Sequence, residues 1–131
     1  MSKLTDVIEA ISLLNNEYPR PGIPDPLQLS QEFRIPEDYE KKSFPFASYP
    51  GVYLFFDENE TLLYIGKASS GLGQRIGNEY IGRSGVLKTN KISGAKVLRT
   101  IKLPKEHHFE APAIEEFLIY KLKPTRNSVG K

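Results

Sequence analysis

Between Pro50 and Arg75 the chain reads PGVYLFFDENETLLYIGKASSGLGQR. Two phenols, Tyr53 and Tyr64, sit close in sequence to two cations, Lys67 and Arg75. A phenol can accept or donate a proton, and a fixed cation can stabilise an anion, so this block suits half of a site that cuts a phosphodiester. The missing half is a carboxylate, and a single glutamate far down the chain is the expected source. Packing alone explains the same residues if both tyrosines are half-buried with satisfied hydroxyls.

The carboxylate emerges from the last helix, which the pattern places from Phe109 or Ala111 to Leu122, with Pro112 in its first turn. On a wheel of about 100° per residue with Ile114 at zero, Leu118 falls near 40°, Ala111 near 60° and Leu122 near 80°. Glu115 falls near 100°, inside this apolar arc, while Glu116 falls near 200° and faces solvent. A carboxylate on a buried face needs a cation or strong donors, and a buried ion pair with a lysine or arginine is the competing explanation.

The elements that must position these groups follow from the pattern. Gly51–Phe56 and Leu62–Gly66 read as strands of an antiparallel hairpin joined by the polar turn Asp57–Thr61. Tyr53 shares a face with Phe55, and Tyr64 with Leu62. A short helix spans about Leu72 to Tyr80, with Arg75 and Glu79 spaced for an ion pair. Residues 81–95, rich in Gly, Ser, Lys and Asn, form an exposed loop with a possible helical turn; Lys96–Leu103 forms a third strand, ended by Pro104. Upstream, residues 3–17 carry Leu4, Val7, Ile8, Ile11 and Leu14 at helical spacing, with Ser2 or Thr5 as the cap. Residues 18–30, with Pro19, Pro21, Gly22, Pro24 and Pro26, form an extended connector. Residues 31–42 suit one short helix after Pro36, and the aromatics Phe44, Phe46 and Tyr49 cover the sheet edge or, alternatively, stack a nucleobase.

At 131 residues the chain suits one core. It has no cysteine, which excludes disulfides and Cys-ligated metal sites, and no apolar run approaches the roughly 20 residues of a membrane span. The opening MSKLTDVIEA lacks the apolar centre of a secretory signal, so cytoplasm is the expected compartment. The Walker pattern is absent, which argues against nucleotide hydrolysis, and adjacent His107 and His108 lack a third ligand at metal-binding spacing. The net charge of +2 conceals an asymmetry: residues 1–66 hold 5 basic and 11 acidic side chains, whereas residues 67–105 hold 9 basic and one acidic. A segment this basic suits a polyanion, because each neutralised phosphate releases counterions. A solvated loop and strand face is the plainer explanation.

Together these residues resemble the GIY-YIG nuclease family. Its first motif corresponds to Gly51-Val52-Tyr53, its second to Tyr64-Ile65-Gly66 followed by Lys67, its arginine to Arg75, its late acidic residue to Glu115 and its final asparagine to Asn127. The stretch Glu110–Asn127 is especially similar to the N-terminal nuclease domain of the bacterial excision-repair endonuclease, and the resemblance covers about residues 49–129. Where the family often has histidine or tyrosine four residues after the arginine, this chain has Glu79, followed by Tyr80.

The resemblance implies an α+β fold, a small three-stranded antiparallel sheet flanked by helices. Residues 1–48 then form an N-terminal helix and proline-rich extension, and residues 49–131 the catalytic domain. It implies DNA phosphodiester hydrolysis with one Mg²⁺ or Mn²⁺ on Glu115, on substrates that include branched or damaged DNA. Arg75 would stabilise the transition state, Lys67 would hold the base or the phosphate, and Asn127 would orient the site from the tail. Tyr53 or Tyr64 would take the proton from water, with Tyr53 preferred and its phenol pKa lowered by Lys67, Arg75 or the metal. Lys67, Arg75, Arg83, Lys88 and Lys91 are the expected DNA contacts. Two other readings stand beside this one: a degenerate nucleic-acid-binding or regulatory module on the same fold, and a protein-interaction domain docking through helix 3–17. The acidic residues 1–48 are expected to pack away from the cleft or to shield it.

Overall fold

The central strand of the sheet is buried along its whole length, on both faces. The computed structural model describes residues 1–20 and 25–127; Pro21, Gly22 and Pro24 of the expected extended connector lie outside them. Strand β2 (Gly51–Phe56) is a continuous apolar run because helices and loops cover both of its sides. It pairs antiparallel with β3 (Leu62–Ala68) and with β4 (Val97–Lys102). The three expected strands are therefore present. A fourth, β1 (Phe33–Arg34), adds to the outer edge of β4, giving the order β1-β4-β2-β3. Pro36, lacking an N–H, follows closely and is unsuited to extending this strand. On the other side of β1 the same edge is continued by Ser30, whose N–H donates to the Thr100 carbonyl at 2.8 Å.

The hairpin register contains one irregularity. Phe55 lies opposite Tyr64 but Phe56 lies opposite Leu62, so Leu63 is an extra residue in β3. The bulge breaks the alternation expected of this strand. Leu62 turns to the face of Val52, Leu54 and Phe56, whereas Leu63 and Tyr64 belong with Tyr53 and Phe55 on the opposite face. Leu62 and Tyr64 thus do not share a face.

Helix α1 (Leu4–Glu17) and helix α3 (Ala111–Leu122) cover the first face, where Val7, Ile11 and Leu14 join Ile114, Leu118 and Leu122 in one core. The N-terminal extension is part of the packing that supports α3. Its helix starts at Lys3, whose N–H donates to the Asp6 carboxylate at 2.8 Å; Ser2 instead donates its hydroxyl to the Leu122 carbonyl at 2.6 Å, and neither Ser2 nor Thr5 is the cap. Helix α2 (Leu72–Glu79) covers the second face through Leu72 and Ile76, beside Phe33, Ile35 and Ile92. The segment after Pro36 forms turns, not a helix, and residues 81–95 contain two short 3-10 turns, Arg83–Gly85 and Asn90–Ile92. Among the described residues no helix is long and apolar enough to cross a membrane.

Candidate active site at the edge of the sheet

Strand β3 is an edge strand of the sheet, and Tyr64, Lys67, Lys91, Glu115 and Asn127 gather around its edge. Tyr53 lies directly across from Gly66 in the ladder. A Cβ on Gly66 would stand 2.3 Å from the Tyr53 ring carbon and hydroxyl, so only glycine lets the ring lie flat against β3. Gly51 is under a comparable constraint: a Cβ there would meet the Ile101 carbonyl oxygen at 2.0 Å. The two glycines of the motifs are backbone-clearance positions, and their spacing seats Tyr53 beneath the strand that carries Tyr64.

Tyr53 is 1% exposed. Its ring packs against Tyr80, with centroids 5.1 Å apart, and Tyr80 in turn packs on Tyr64 at 5.8 Å. The Tyr80 hydroxyl donates to the Tyr64 hydroxyl at 3.4 Å, a long hydrogen bond. Helix α2 ends at Glu79, and Tyr80 leaves it with φ −124° and ψ −47°, which swings its ring back onto the two motif tyrosines. Tyr80 was the doubtful helper position of the sequence: the residue one turn after Arg75, Glu79, makes an i,i+4 ion pair with Arg75 at 3.2 Å, and the next residue supplies the aromatic hydroxyl.

Burial pushes the Tyr53 phenol up to about 12, although Tyr80 and Arg75 act in the opposite direction. Burial also pushes Tyr64 up to about 12, aided by Tyr80 and opposed by Lys91. Tyr80 is raised for the same first cause. Among the protein's own groups, removal from water outweighs the neighbouring cations and raises both phenols. At neutral pH the three hydroxyls are protonated and form a contiguous polar thread from beside Arg75 to the β3 edge.

Tyr64 is the accessible end of this thread. It is half-buried and lines a hollow of about 460 Å³ together with Lys91, Glu115, Arg126 and Asn127. The Lys91 ammonium stands 6.0 Å from the Tyr64 ring centroid. Glu115 is half-buried, not enclosed; it sits at the border of the apolar arc of α3, where it also lines a second hollow of about 690 Å³ with Lys67. Glu116 is exposed, as expected. Neither hollow is lined by a described residue of α1, so the extension packs away from the site.

Asn127 closes the edge. Its side-chain oxygen accepts from the Ile65 N–H at 2.7 Å and its amide donates to the Ile65 carbonyl at 2.8 Å. Arg126 adds a ladder-like bond from its N–H to the Leu63 carbonyl at 2.9 Å, while its guanidinium donates to the carbonyls of Asn90 and Ser93 at 2.9 and 3.0 Å. The tail after α3 thus ties the β3 edge to the loop that carries Lys91. Lys123, in the left-handed conformation (φ 48°), makes the turn from α3 into this tail.

The basic segment is split between two regions. Lys91 is exposed beside the site, Arg83 is exposed earlier on the same loop, and Lys88 caps α2, donating to the Asn78 carbonyl at 2.7 Å. Arg99 and Lys102 point elsewhere. Arg99 donates to the Ser30 carbonyl at 2.9 Å, and the Lys102 ammonium stands 4.9 Å from the Phe46 ring and 4.7 Å from the Tyr49 ring. Phe44 packs against Phe33 at 5.1 Å, so this aromatic lead-in covers the sheet. His107 faces the Glu110 carboxylate at 3.0 Å, and among the described residues no three histidine, aspartate or glutamate side chains gather to hold a metal ion.

Residues 49–128 match the family described as the UvrC-like GIY-YIG domain. With the two motifs paired across the hairpin and the late glutamate and asparagine on and after α3, the chain belongs to this family. UvrABC system protein C of Helicobacter pylori strain P12 is 34% identical over 93 residues, which are 66% of this chain and 15% of that protein. The protein of the same name from strain J99 / ATCC 700824 is 34% identical over 88 residues, 62% of this chain and again 15% of the relative. The chain thus matches only a small part of these relatives.

Proposed function

We propose that this chain is a metal-dependent endonuclease that hydrolyses DNA phosphodiester bonds. The observation that carries the reading is the shared hollow. Tyr64, Lys91, Glu115 and Asn127 face one space, and the buried Tyr80–Tyr53 pair connects that space to Arg75. The family supports the same reading.

Glu115 suits one Mg²⁺ or Mn²⁺. It offers a single hard carboxylate at a half-exposed position where two hollows meet, and a metal such as Mg²⁺ binds through one or two carboxylates while keeping phosphate and water ligands. Such an ion, when bound, neutralises charge on the phosphate and on the leaving oxygen. The chain's own groups do the rest. Tyr64, not Tyr53, meets the attacking water, because Tyr53 is sealed from solvent. Tyr64 must be ionised to act as a base; burial opposes that, and Lys91 favours it. Tyr80 and Tyr53 fix the Tyr64 hydroxyl and tie it to Arg75, which faces the phosphate from the first half of α2. Lys67, on the Glu115 side of β3, and Lys91, Arg83 and Lys88 hold the DNA backbone.

The decisive assay is plasmid nicking with Mg²⁺ or Mn²⁺. The wild-type chain should convert supercoiled to open-circular DNA, and Glu115→Gln should abolish conversion while leaving the melting temperature in place. Nicking that survives Glu115→Gln, or none by the folded wild type at any salt, overturns the proposal.

A further inference from the structure

We infer that the hollow beside Glu115 is a stacking subsite for the base of an unpaired nucleotide, so that the substrate is DNA with a nucleotide out of its duplex next to the scissile phosphate. This rests on the hydrolytic reading above and adds the form of the substrate.

The larger hollow has two unlike sides. Lys67, Glu115 and Asn127 form one, and Pro112, Ile119, Tyr120 and Pro124 form the other. Its volume of about 690 Å³ falls within the range of ligand pockets. Phosphodiester hydrolysis calls on the polar side only. On the apolar side Ile119 packs against the core and Pro124 is buried, but the ring of Tyr120 is not explained by folding, because α3 meets the core through Ala111, Ile114, Leu118 and Leu122. Tyr120 is 72% exposed, the one exposed large hydrophobic side chain of this helix, one turn beyond Glu116. Ile119, one turn beyond Glu115, lines both hollows and joins the apolar side to the Tyr64 side.

An exposed aromatic ring beside a phosphate-handling site matches the chemistry of a nucleobase, whose π-face stacks on aromatic side chains whatever its sequence. A base inside a duplex has both faces covered by its neighbours. It must leave the stack to reach Tyr120.

Lys123 strengthens the assignment. It holds the left-handed conformation that glycine usually takes at a helix C-terminus, a strained choice for a lysine. Its ammonium stands 5.0 Å from the Tyr120 ring centroid and donates to the Tyr120 carbonyl at 3.3 Å. This places a cation over one face of the Tyr120 ring, within reach of the phosphate of a nucleotide stacked on the other face.

The test uses the full chain carrying Glu115→Gln, so that binding is read without cleavage, and three oligonucleotides containing 2-aminopurine: a single strand, a duplex with a central unpaired bubble, and a continuous duplex. Quenching of the fluorescent base is expected with the single strand and the bubble and not with the continuous duplex. Adding Tyr120→Ala should remove the quenching and weaken single-strand binding about tenfold, as loss of one base–aromatic stack does, and Tyr120→Trp should restore both. Equal quenching by continuous duplex, or quenching that persists in Tyr120→Ala, overturns the subsite. The two readings fail separately. Tyr120-dependent quenching by a chain that never nicks plasmid defeats hydrolysis and retains the stacking site; nicking with no Tyr120 dependence does the reverse.

Discussion

The Asn127 side chain pairs with both backbone groups of Ile65, accepting from its N–H at 2.7 Å and donating to its carbonyl at 2.8 Å. One amide thus stands in for a neighbouring strand at the open edge of β3, next to Tyr64 and across the hollow from Glu115. Asn127→Ala should leave two partly buried backbone groups without protein partners and cost about 1–3 kcal/mol. Asn127→Asp keeps the acceptor but sets a carboxylate against the Ile65 carbonyl, so it should rescue little. Chemical denaturation reads the loss, and nicking should fall further than stability does, because the misplaced strand carries Tyr64.

Gly66→Ala should be severe for a different reason. The new methyl would fall inside the Tyr53 ring, and a buried ring backed by Phe55 and Tyr80 has little room to move. Overpacking of this kind costs about 1–3 kcal/mol. Combining it with Tyr53→Leu should recover part of the stability in denaturation but none of the nicking. Equal stability of the single and double variants would show that the ring is not the obstacle.

The tyrosine network sets a pH dependence in the alkaline range. The Tyr53 phenol is held up at about 12, against an ordinary value near 10. A folded-state value above the unfolded one means that the native state binds the proton more tightly. Stability is then level below about pH 10 and falls as pH rises from about 10 towards 12. Urea titrations along that range should show the fall, and Tyr53→Phe should flatten part of it. For the reaction, a base that is protonated at neutrality makes the rate rise with pH, by about tenfold per unit, until unfolding intervenes. A rate that is flat from pH 7 to 9 would remove Tyr64 from the role of base.

The exposed cations of the loop divide into two kinds. Arg83 and Lys91 stand in solvent, so Arg83→Ala and Lys91→Ala should leave the fold intact and each reduce the salt slope of DNA binding by about 0.9, one phosphate's worth. Lys88 also holds the Asn78 carbonyl at the end of α2. Lys88→Ala should therefore reduce the slope and lower the melting temperature, whereas the other two reduce the slope alone. Fluorescence anisotropy across a salt series, beside thermal melts, separates the three.

How much of this was legible in the sequence depended on whether the determinant was local. The hairpin strands, α1 and α3 follow from periodicity; Glu115 was expected inside the apolar arc of α3 and is instead half-buried at its border. The sequence left open whether Glu79 or the adjacent Tyr80 faces the motif tyrosines, because the end of α2 at Glu79 is set by tertiary contacts that turn the Tyr80 ring onto Tyr53 and Tyr64. The bulge at Leu63 has no composition signal, yet it decides which face Tyr64 joins. The contribution of burial to the phenols was hidden for a related reason. Lys67 and Arg75 are visible in the sequence, but the burial of Tyr53 in the core is not, and burial is the largest influence on its phenol. Strand β1 is two residues long and exists only because β4 offers an edge.

Residues 1–48 were expected either to pack away from the cleft or to shield it, and deleting them distinguishes the two. Val7, Ile11 and Leu14 are 0%, 5% and 6% exposed, and they bury the face of α3 that carries Ile114 and Leu118. Each such side chain contributes about 1.5–3 kcal/mol, so the three together rival the stability of a small domain. Removing residues 1–17 should therefore yield insoluble or unfolded protein, not a faster nuclease, because α3 would lose its support and Glu115 its position. Ile8 is the control on the same helix. It is 52% exposed, so Ile8→Ala should leave melting unchanged, whereas Ile11→Ala should cost about 2–5 kcal/mol. A soluble, cooperatively melting fragment lacking α1 that nicks faster than the intact chain would assign the helix a shielding role instead.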